Sequence, residues 1–273
     1  MGLLNKKTYL CVLKLFKTMN IDISTYHHVL WAMAFMGLFV FVTLYFVDAG
    51  YGKFRSNKWG YSINNKLGWV LMECPALIPI AYTIVALTPS ALAILFMSLY
   101  ALHYVYRSFI FPALLKGNSK MPLAITAMGA TFNFTNSTLL CASVVAFPKE
   151  SYTDICSYAG NWNFWLGIVL FFMGMYTHMK ADHTIRNLRK PGDTNHYLPK
   201  GGLFDYVTSA NYFGELLEWT GFAILLCNPA AWMFVWWTAA NLVPRAHAIN
   251  KKYRAEFGNE QVGKRKRVIP FIY

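Results

Sequence analysis

Charge is scarce in this chain, and acid is scarcer than base. Of 273 residues, 14% are charged, with 12 acidic side chains against 25 basic ones, a formal +13. Soluble domains usually carry about a quarter charged residues, so this composition argues against a water-soluble globular protein. The basic surplus does not indicate a nucleic-acid partner, because long apolar runs interrupt it; Lys and Arg flanking membrane spans account for it better. Motifs are missing too. There is no GxGxxG after a strand pattern, no Walker A loop, no HExxH and no GxSxG, so any nucleotide is held without the usual phosphate loops. The five cysteines, Cys11, Cys74, Cys141, Cys156 and Cys227, form no CxxC pair and no metal-ligand spacing with histidine. Neither a disulfide framework nor a metal site is expected. Three of them lie in apolar runs, where Cys acts as a small hydrophobe. The opening "MGLLNKKTYLCVLKLFKTMN" has no apolar core followed by a cleavage site, and "MGLLNK" lacks the Ser or Thr of a myristoylation signal.

What is abundant is apolar: 56% of the residues are hydrophobic and 17% aromatic. A spanning helix needs about 20 mostly apolar residues, and seven stretches qualify. They run over 27–47, 67–87, 90–114, 122–147, from about 162 past 179 into a more polar extension, 208–226, and 230–244. The predicted fold is an all-α integral membrane protein with seven transmembrane helices in a single domain. An amphipathic lead-in covers 1–26, the bundle 27–257 and a basic tail 258–273. "TPS" and "CNPA" links imply tight antiparallel hairpins. Basic residues gather on one side, at Lys53, Arg55, Lys58, Lys66, Lys116, Lys120, Arg186, Arg189, Lys190, Lys200 and the "KRKR" tail. That side is expected to be cytoplasmic, which puts the C-terminus in the cytoplasm and the N-terminus, with its four lysines, outside.

Polar groups within apolar helices are expensive and become functional candidates, with interhelical hydrogen bonding as the competing explanation. Glu73 stands alone in "WVLMECPALIPI", where Pro75 and Pro79 kink the helix and free backbone carbonyls. It suits a proton donor or a clamp for a carbonyl, or else helix glue. "YALHYVYRSF" puts Tyr100 and Tyr104 on one face and His103 and Arg107, four apart, on another. Arg107 is expected to meet a lipid headgroup or a neighbouring carboxylate. The fifth helix leaves through a stripe of His178, Asp182, Arg186 and Arg189, either a solvated helix end or an anion site with arginines gripping phosphate. In "GGLFDYVTSANYFGELLEW", Asn211, Glu215 and Glu218 share one face at spacings of four and three. Two carboxylates there require cations or ligand donors. Asn133 and Asn136 head glycosylation sequons, but their apolar setting favours helix-packing contacts.

"IRNLRKPGDTNHYLPKGGLFDYVTSANYFGELLEWTGFA" closely resembles the C-terminal signature of the steroid 5α-reductase family. "RKRVIPFIY", "WVLMECPA" and "LHYVYRSFIFPALL" resemble that family's ending and its second- and third-helix motifs. The resemblance runs from about Trp69 to Tyr273. It implies a seven-helix membrane enzyme that uses NADPH to reduce the 4,5 double bond of a 3-oxo-Δ4 steroid. Glu73 and Tyr104 match the pair that holds the 3-oxo group, and Trp69 and Phe132 match aromatic positions lining the steroid. Asp182, Arg189, Asn211, Glu215, Arg245, Tyr253 and Arg265 fall on NADPH-associated positions. His178 stands where many animal members have Asn, Tyr197 replaces an Arg, and Met128 occupies another place that is often Arg. Lys180, Arg186 or Lys266 are the available substitutes for those lost cations. The expected partners are a steroid or other hydrophobic enone and membrane lipid, for a monomer in the endoplasmic reticulum membrane of a eukaryote or the inner membrane of a bacterium.

Other readings stay open. A polyprenol or enoyl-lipid reductase would share the architecture, and a membrane methyltransferase using S-adenosylmethionine could use a similar charged C-terminal pocket. A receptor or transporter would bind or move its ligand without making product.

Overall fold

The computed structural model describes residues 22–47, 50, 59–117, 119–152, 154–188, 190 and 197–273. Residues 1–21 of the lead-in, Arg189, Lys53, Arg55 and Lys58 lie outside the described residues.

Helix α1 (Ile23–Phe46) starts where the Asp22 side chain accepts a hydrogen bond from the Thr25 amide at 2.7 Å. That bond holds the Asp22 carboxyl below its ordinary range. A three-residue strand β1 (Ser62–Asn64) leads into α2 (Asn65–Glu73), a 3-10 turn (Cys74–Ala76) and α3 (Leu77–Leu87). The break falls at Pro75, which supplies no backbone N–H to continue the helical ladder. After the "TPS" turn, α4 (Ala91–Val105) passes through a π-helical segment (Tyr106–Ile110) into the short α5 (Phe111–Leu114). Strand β2 (Lys120–Pro122) pairs antiparallel with β1, placing Ile63 opposite Met121. Helix α6 (Leu123–Val145), the single turn and a half of α7 (Ile155–Ala159) and α8 (Trp162–Asn187) follow. A 3-10 turn (Gly202–Asp205) precedes α9 (Ala210–Leu226), and α10 (Pro229–Val262) closes the helical part.

The described residues are therefore mostly helical, with one small β pair among them that the helix-only expectation lacks. Among the described residues, three helical stretches, Ile23–Phe46, Asn65–Leu87 and Ala91–Leu114, are long and apolar enough to cross a membrane. The outer surface agrees with a lipid environment: Trp31, Phe35, Phe39, Phe46 and Trp165 are all at least 60% exposed. In water such a surface would aggregate.

Side-chain contacts sort the loops to two ends. At one end, Tyr26 meets Phe147 with ring centroids 5.1 Å apart, and Lys149 Nζ donates to the Cys227 carbonyl at 2.9 Å. At the other, Tyr45 and Tyr273 hydroxyls lie 3.1 Å apart and Lys116 Nζ donates to Asn187 at 2.9 Å. The basic tail does not hang free. Gly258, at φ 80°, interrupts the α10 geometry, and the chain returns so that the Thr208 amide donates to the Lys266 carbonyl at 2.9 Å.

Two close approaches fix the bundle. Trp236 and Trp237 on α10 donate their indole N–H groups to the carbonyls of Ala34 and Met33 on α1. Helices α8 and α9 touch backbone to backbone along a seam of four glycines, Gly167 and Gly174 facing Gly221 and Gly214. A Cβ added at Gly174 would lie 2.2 Å from the Glu218 nitrogen, and one at Gly214 would lie 2.4 Å from the His178 nitrogen. The seven-residue spacing on each helix keeps the small residues on one face, the arrangement by which helices approach closely in lipid. Between the seam and α4 lies an aromatic core of Phe96, Tyr100, Phe171, Trp219, Phe222 and Phe234.

Candidate functional site

The break at Pro75 exposes carbonyls, and α6 supplies their donors. Asn133 Nδ2 donates to the Met72 carbonyl at 2.8 Å, and Ser137 Oγ donates to the Ala76 carbonyl at 2.6 Å. Asn133, Asn136 and Ser137 share one face by their spacing, and all three are buried. Asn133 also donates to Glu73 Oε2 at 2.9 Å, while its own Oδ1 accepts from the Tyr104 hydroxyl at 2.9 Å. Asn136 Nδ2 donates to the Tyr100 hydroxyl at 3.0 Å, and the Tyr100 and Tyr104 rings lie 4.7 Å apart. Glu73 and Tyr104, singled out separately in the sequence, thus meet through one amide. The packing role expected of the two asparagines is present, and Asn133 does more. Its spacing from Asn136 and Ser137 within an apolar run is the signal that would have pointed to it.

One turn along α4, a second polar network crosses to α8 and α9. His103 Nδ1 lies 2.8 Å from Glu218 Oε1, and the other Glu218 oxygen lies 3.5 Å from His178 Nδ1. His178 Nε2 is 3.2 Å from Asp182 Oδ2 and 3.8 Å from Glu215 Oε1. Arg107 closes the chain, donating to Asp182 at 3.4 Å and lying 3.7 Å from Glu215. Asn211 Nδ2 donates to the second Asp182 oxygen at 3.1 Å. Three carboxylates thus share one arginine and two histidines, and side-chain exposure nowhere exceeds 12% among Arg107, His103, His178 and the acids. Charges this deep are tolerated only when paired.

Glu218, left without a role in the sequence, pairs with both histidines, and the partner of Arg107 is a pair of carboxylates. Its guanidinium also stacks over Trp69 at 4.6 Å and Phe111 at 4.7 Å. The two halves of the site are therefore linked: α4 carries Tyr104 toward Asn133 and Glu73 and His103 toward the acidic face of α9, and the π segment that follows carries Arg107 to the same face.

His103, His178 and Glu218 bring ligand atoms within 4.8 Å of one another, the one group with metal-holding spacing among the described residues. Sequence spacing gives no hint of it. One Glu218 oxygen is already engaged by His103, so the contacts read as internal charge pairing.

The remaining candidates are more dispersed. Arg245 stacks over the Tyr212 ring at 5.6 Å, next to Asn211. Arg186 Nη2 contacts His183 Nδ1 at 3.2 Å, and its Nη1 is buried without a hydrogen bond. Tyr253 is buried in a separate small cluster with Leu198 and Val262. Arg265 donates to the Pro199 carbonyl at 3.4 Å and borders a cleft of about 490 Å³ with Tyr206, Lys264 and Lys266. Phe132 packs on Trp237, centroids 4.7 Å apart, rather than on Trp69. Arg189 falls outside the described residues. Among the described residues, then, the contacts join Asp182, Asn211, Glu215 and His178 directly, and leave Tyr253 and Arg265 nearer the tail.

Residues 119–273 match the family described as 3-oxo-5-alpha-steroid 4-dehydrogenase. The chain is 35% identical over 265 residues to a steroid 5-alpha-reductase DET2 of Arabidopsis thaliana, covering 92% of this chain and 98% of that protein. It is 31% identical over 248 residues to 3-oxo-5-alpha-steroid 4-dehydrogenase 1 of Bos taurus, covering 87% and 93%. Against the Homo sapiens protein of that name the identity is 32% over 247 residues, covering 87% and 92%.

Proposed function

The chain belongs to the 3-oxo-5-alpha-steroid 4-dehydrogenase family, and from that premise we propose that it uses NADPH to reduce the 4,5 double bond of a 3-oxo-Δ4 steroid to the 5α product. It is an oxidoreductase acting on a carbon–carbon double bond. It works in a membrane as seven spans with the basic end in the cytoplasm, in the endoplasmic reticulum of a eukaryote or the inner membrane of a bacterium. The observation that carries the mechanism is the buried Glu73–Asn133–Tyr104 set beside the carboxylate and amide face of α9.

The donor set fits the cofactor. Asp182, Glu215 and Asn211 offer acceptors and an amide of the kind that ribose hydroxyls and a carboxamide require. Arg186 has a buried donor without a protein partner, and Arg189, Arg245 and Arg265 supply further guanidinium groups for phosphates. When bound, NADPH would supply a hydride to C5 of the enone, and negative charge would then develop on the 3-oxygen. Tyr104 and a protonated Glu73 hold that oxygen by hydrogen bonds that strengthen as charge develops in a dry site. The aromatic and aliphatic surroundings exclude water and suit a steroid skeleton, with Trp69 and Phe132 as flanking rings. Uptake of one solvent-derived proton at C4, with return of the 3-oxygen to a neutral ketone, balances the hydride and completes the reduction.

The test is product analysis of purified protein given NADPH with a Δ4-3-ketosteroid, a polyprenal and a 2-enoyl lipid side by side. The 5α-dihydrosteroid is the expected product. Reduction of either other substrate in its place would move the activity elsewhere in the superfamily. Glu73→Gln and Tyr104→Phe should each lower turnover by about two orders of magnitude or more while leaving folding intact. Near-normal turnover in both removes the pair from the chemistry.

A further inference from the structure

We infer that Asn133 is a positioning residue for the reduction: its side-chain amide holds the Glu73 carboxyl and the Tyr104 side chain side by side, so that both can turn a proton to one substrate oxygen. This rests on the assignment of those two residues to the 3-oxo group.

The orientation of the amide is fixed by chemistry. The Met72 carbonyl can only accept, so the group 2.8 Å from it must be the Asn133 NH2. The second N–H then points at Glu73 Oε2, 2.9 Å away. The remaining atom, Oδ1, can only accept, so the Tyr104 hydroxyl, 2.9 Å away, must donate to it. One amide therefore decides two proton positions. Because Glu73 Oε2 is occupied as an acceptor, a neutral Glu73 carries its proton on Oε1 and presents that oxygen as the donor. Tyr104 holds its single proton toward Asn133 until a ketone oxygen competes for it. The amide cannot rotate away, because its two N–H groups bridge a backbone carbonyl and a carboxyl, and the residue is only 6% exposed.

A residue used merely for packing predicts none of this. A leucine of similar size would fill the same volume between α2 and α6. It would leave the Met72 carbonyl unpaired, Glu73 free to turn and Tyr104 without its partner.

The experiment compares Asn133→Leu and Asn133→Asp with Tyr104→Phe in purified protein, using NADPH and a Δ4-3-ketosteroid. Asn133→Leu should lower kcat about 100-fold, the scale set by misplacing catalytic groups by an ångström, with KM changed less than about threefold. Adding it to Tyr104→Phe should cost little more, since both act at the same oxygen. Asn133→Asp keeps the acceptor for Tyr104 but sets a second carboxyl against Glu73. Its turnover should recover as pH falls and the pair takes up a shared proton, an acid-shifted kcat profile that a packing role does not produce. Wild-type kcat in Asn133→Leu, with Tyr104→Phe inactive, overturns the inference and leaves the assignment of Tyr104 standing. Activity in all three variants overturns the assignment itself. If the leucine variant does not fold, an Asn133→Asp profile that matches wild type is enough to reject the role.

Discussion

Replacing Gly174 by alanine tests the backbone contact on which the site depends. The added Cβ would sit 2.2 Å from the Glu218 nitrogen, 2.5 Å from its Cα and 2.7 Å from the Gly214 carbonyl oxygen. These are backbone atoms, so no rotamer change relieves the clash. The first contact is about 1.2 Å short of the 3.4 Å at which ordinary packing begins, and α8 must move off α9 by roughly that much. His178 and Glu218, now 3.5 Å apart, would then lose ion-pair reach, and the 3.1 Å bond from Asn211 to Asp182 would stretch past hydrogen-bond range. Overpacking alone costs about 1–3 kcal/mol, and opening a buried charge network adds to it. Taking about 3 kcal/mol, the apparent Tm in detergent should fall by about 6–12 °C. Intrinsic tryptophan fluorescence suits the measurement, because Trp219 lies in the aromatic core beside the seam. Turnover should fall with it, since Asp182, Glu215 and Asn211 all ride on the two helices. Gly117→Ala is the control, as nothing lies within 4 Å of a Cβ there. A Gly174→Ala protein with wild-type Tm and turnover would show that α8 and α9 are not in backbone contact.

Glu218→Gln removes the charge that both buried histidines face. Breaking one partner of a buried pair costs about 3–5 kcal/mol, so a large loss of Tm is expected, and an unchanged melting curve would count against the pairing. The membrane orientation can be read with a variant retaining only Cys156, which is exposed on α7 at the same end as Lys149 and the Cys227 turn. With the protein expressed in a bacterial inner membrane, a membrane-impermeant maleimide added to intact cells should label it from the periplasmic side. Labelling only after permeabilisation would invert the topology.

The helices were legible because their signals are local. An apolar run of spanning length specifies a helix wherever it packs, Pro75 breaks one wherever it occurs, and short "TPS" and "CNPA" links force hairpins. The acidic face of α9 was equally plain, since Asn211, Glu215 and Glu218 are neighbours on any helix. The π segment after Val105 was not, since no local pattern in "YRSFI" marks it, and Arg107 within it meets Asp182 and Glu215 only across the fold. The four glycines on two helices carry a seven-residue spacing in the sequence, but only their mutual contact gives that spacing meaning.

The sequence by itself determined which segments are helical, that one of them breaks at Pro75, and that a few ionisable groups must be buried among them. Which groups meet was decided only by the tertiary structure. Asn133 lies 60 residues from Glu73 and 29 from Tyr104, and His103 lies 115 from Glu218. No local periodicity relates positions so far apart. In a low-dielectric interior a polar group must find a partner, but its own sequence neighbourhood does not say which. The choice falls to the helix whose face the glycine seam and the proline break bring within reach.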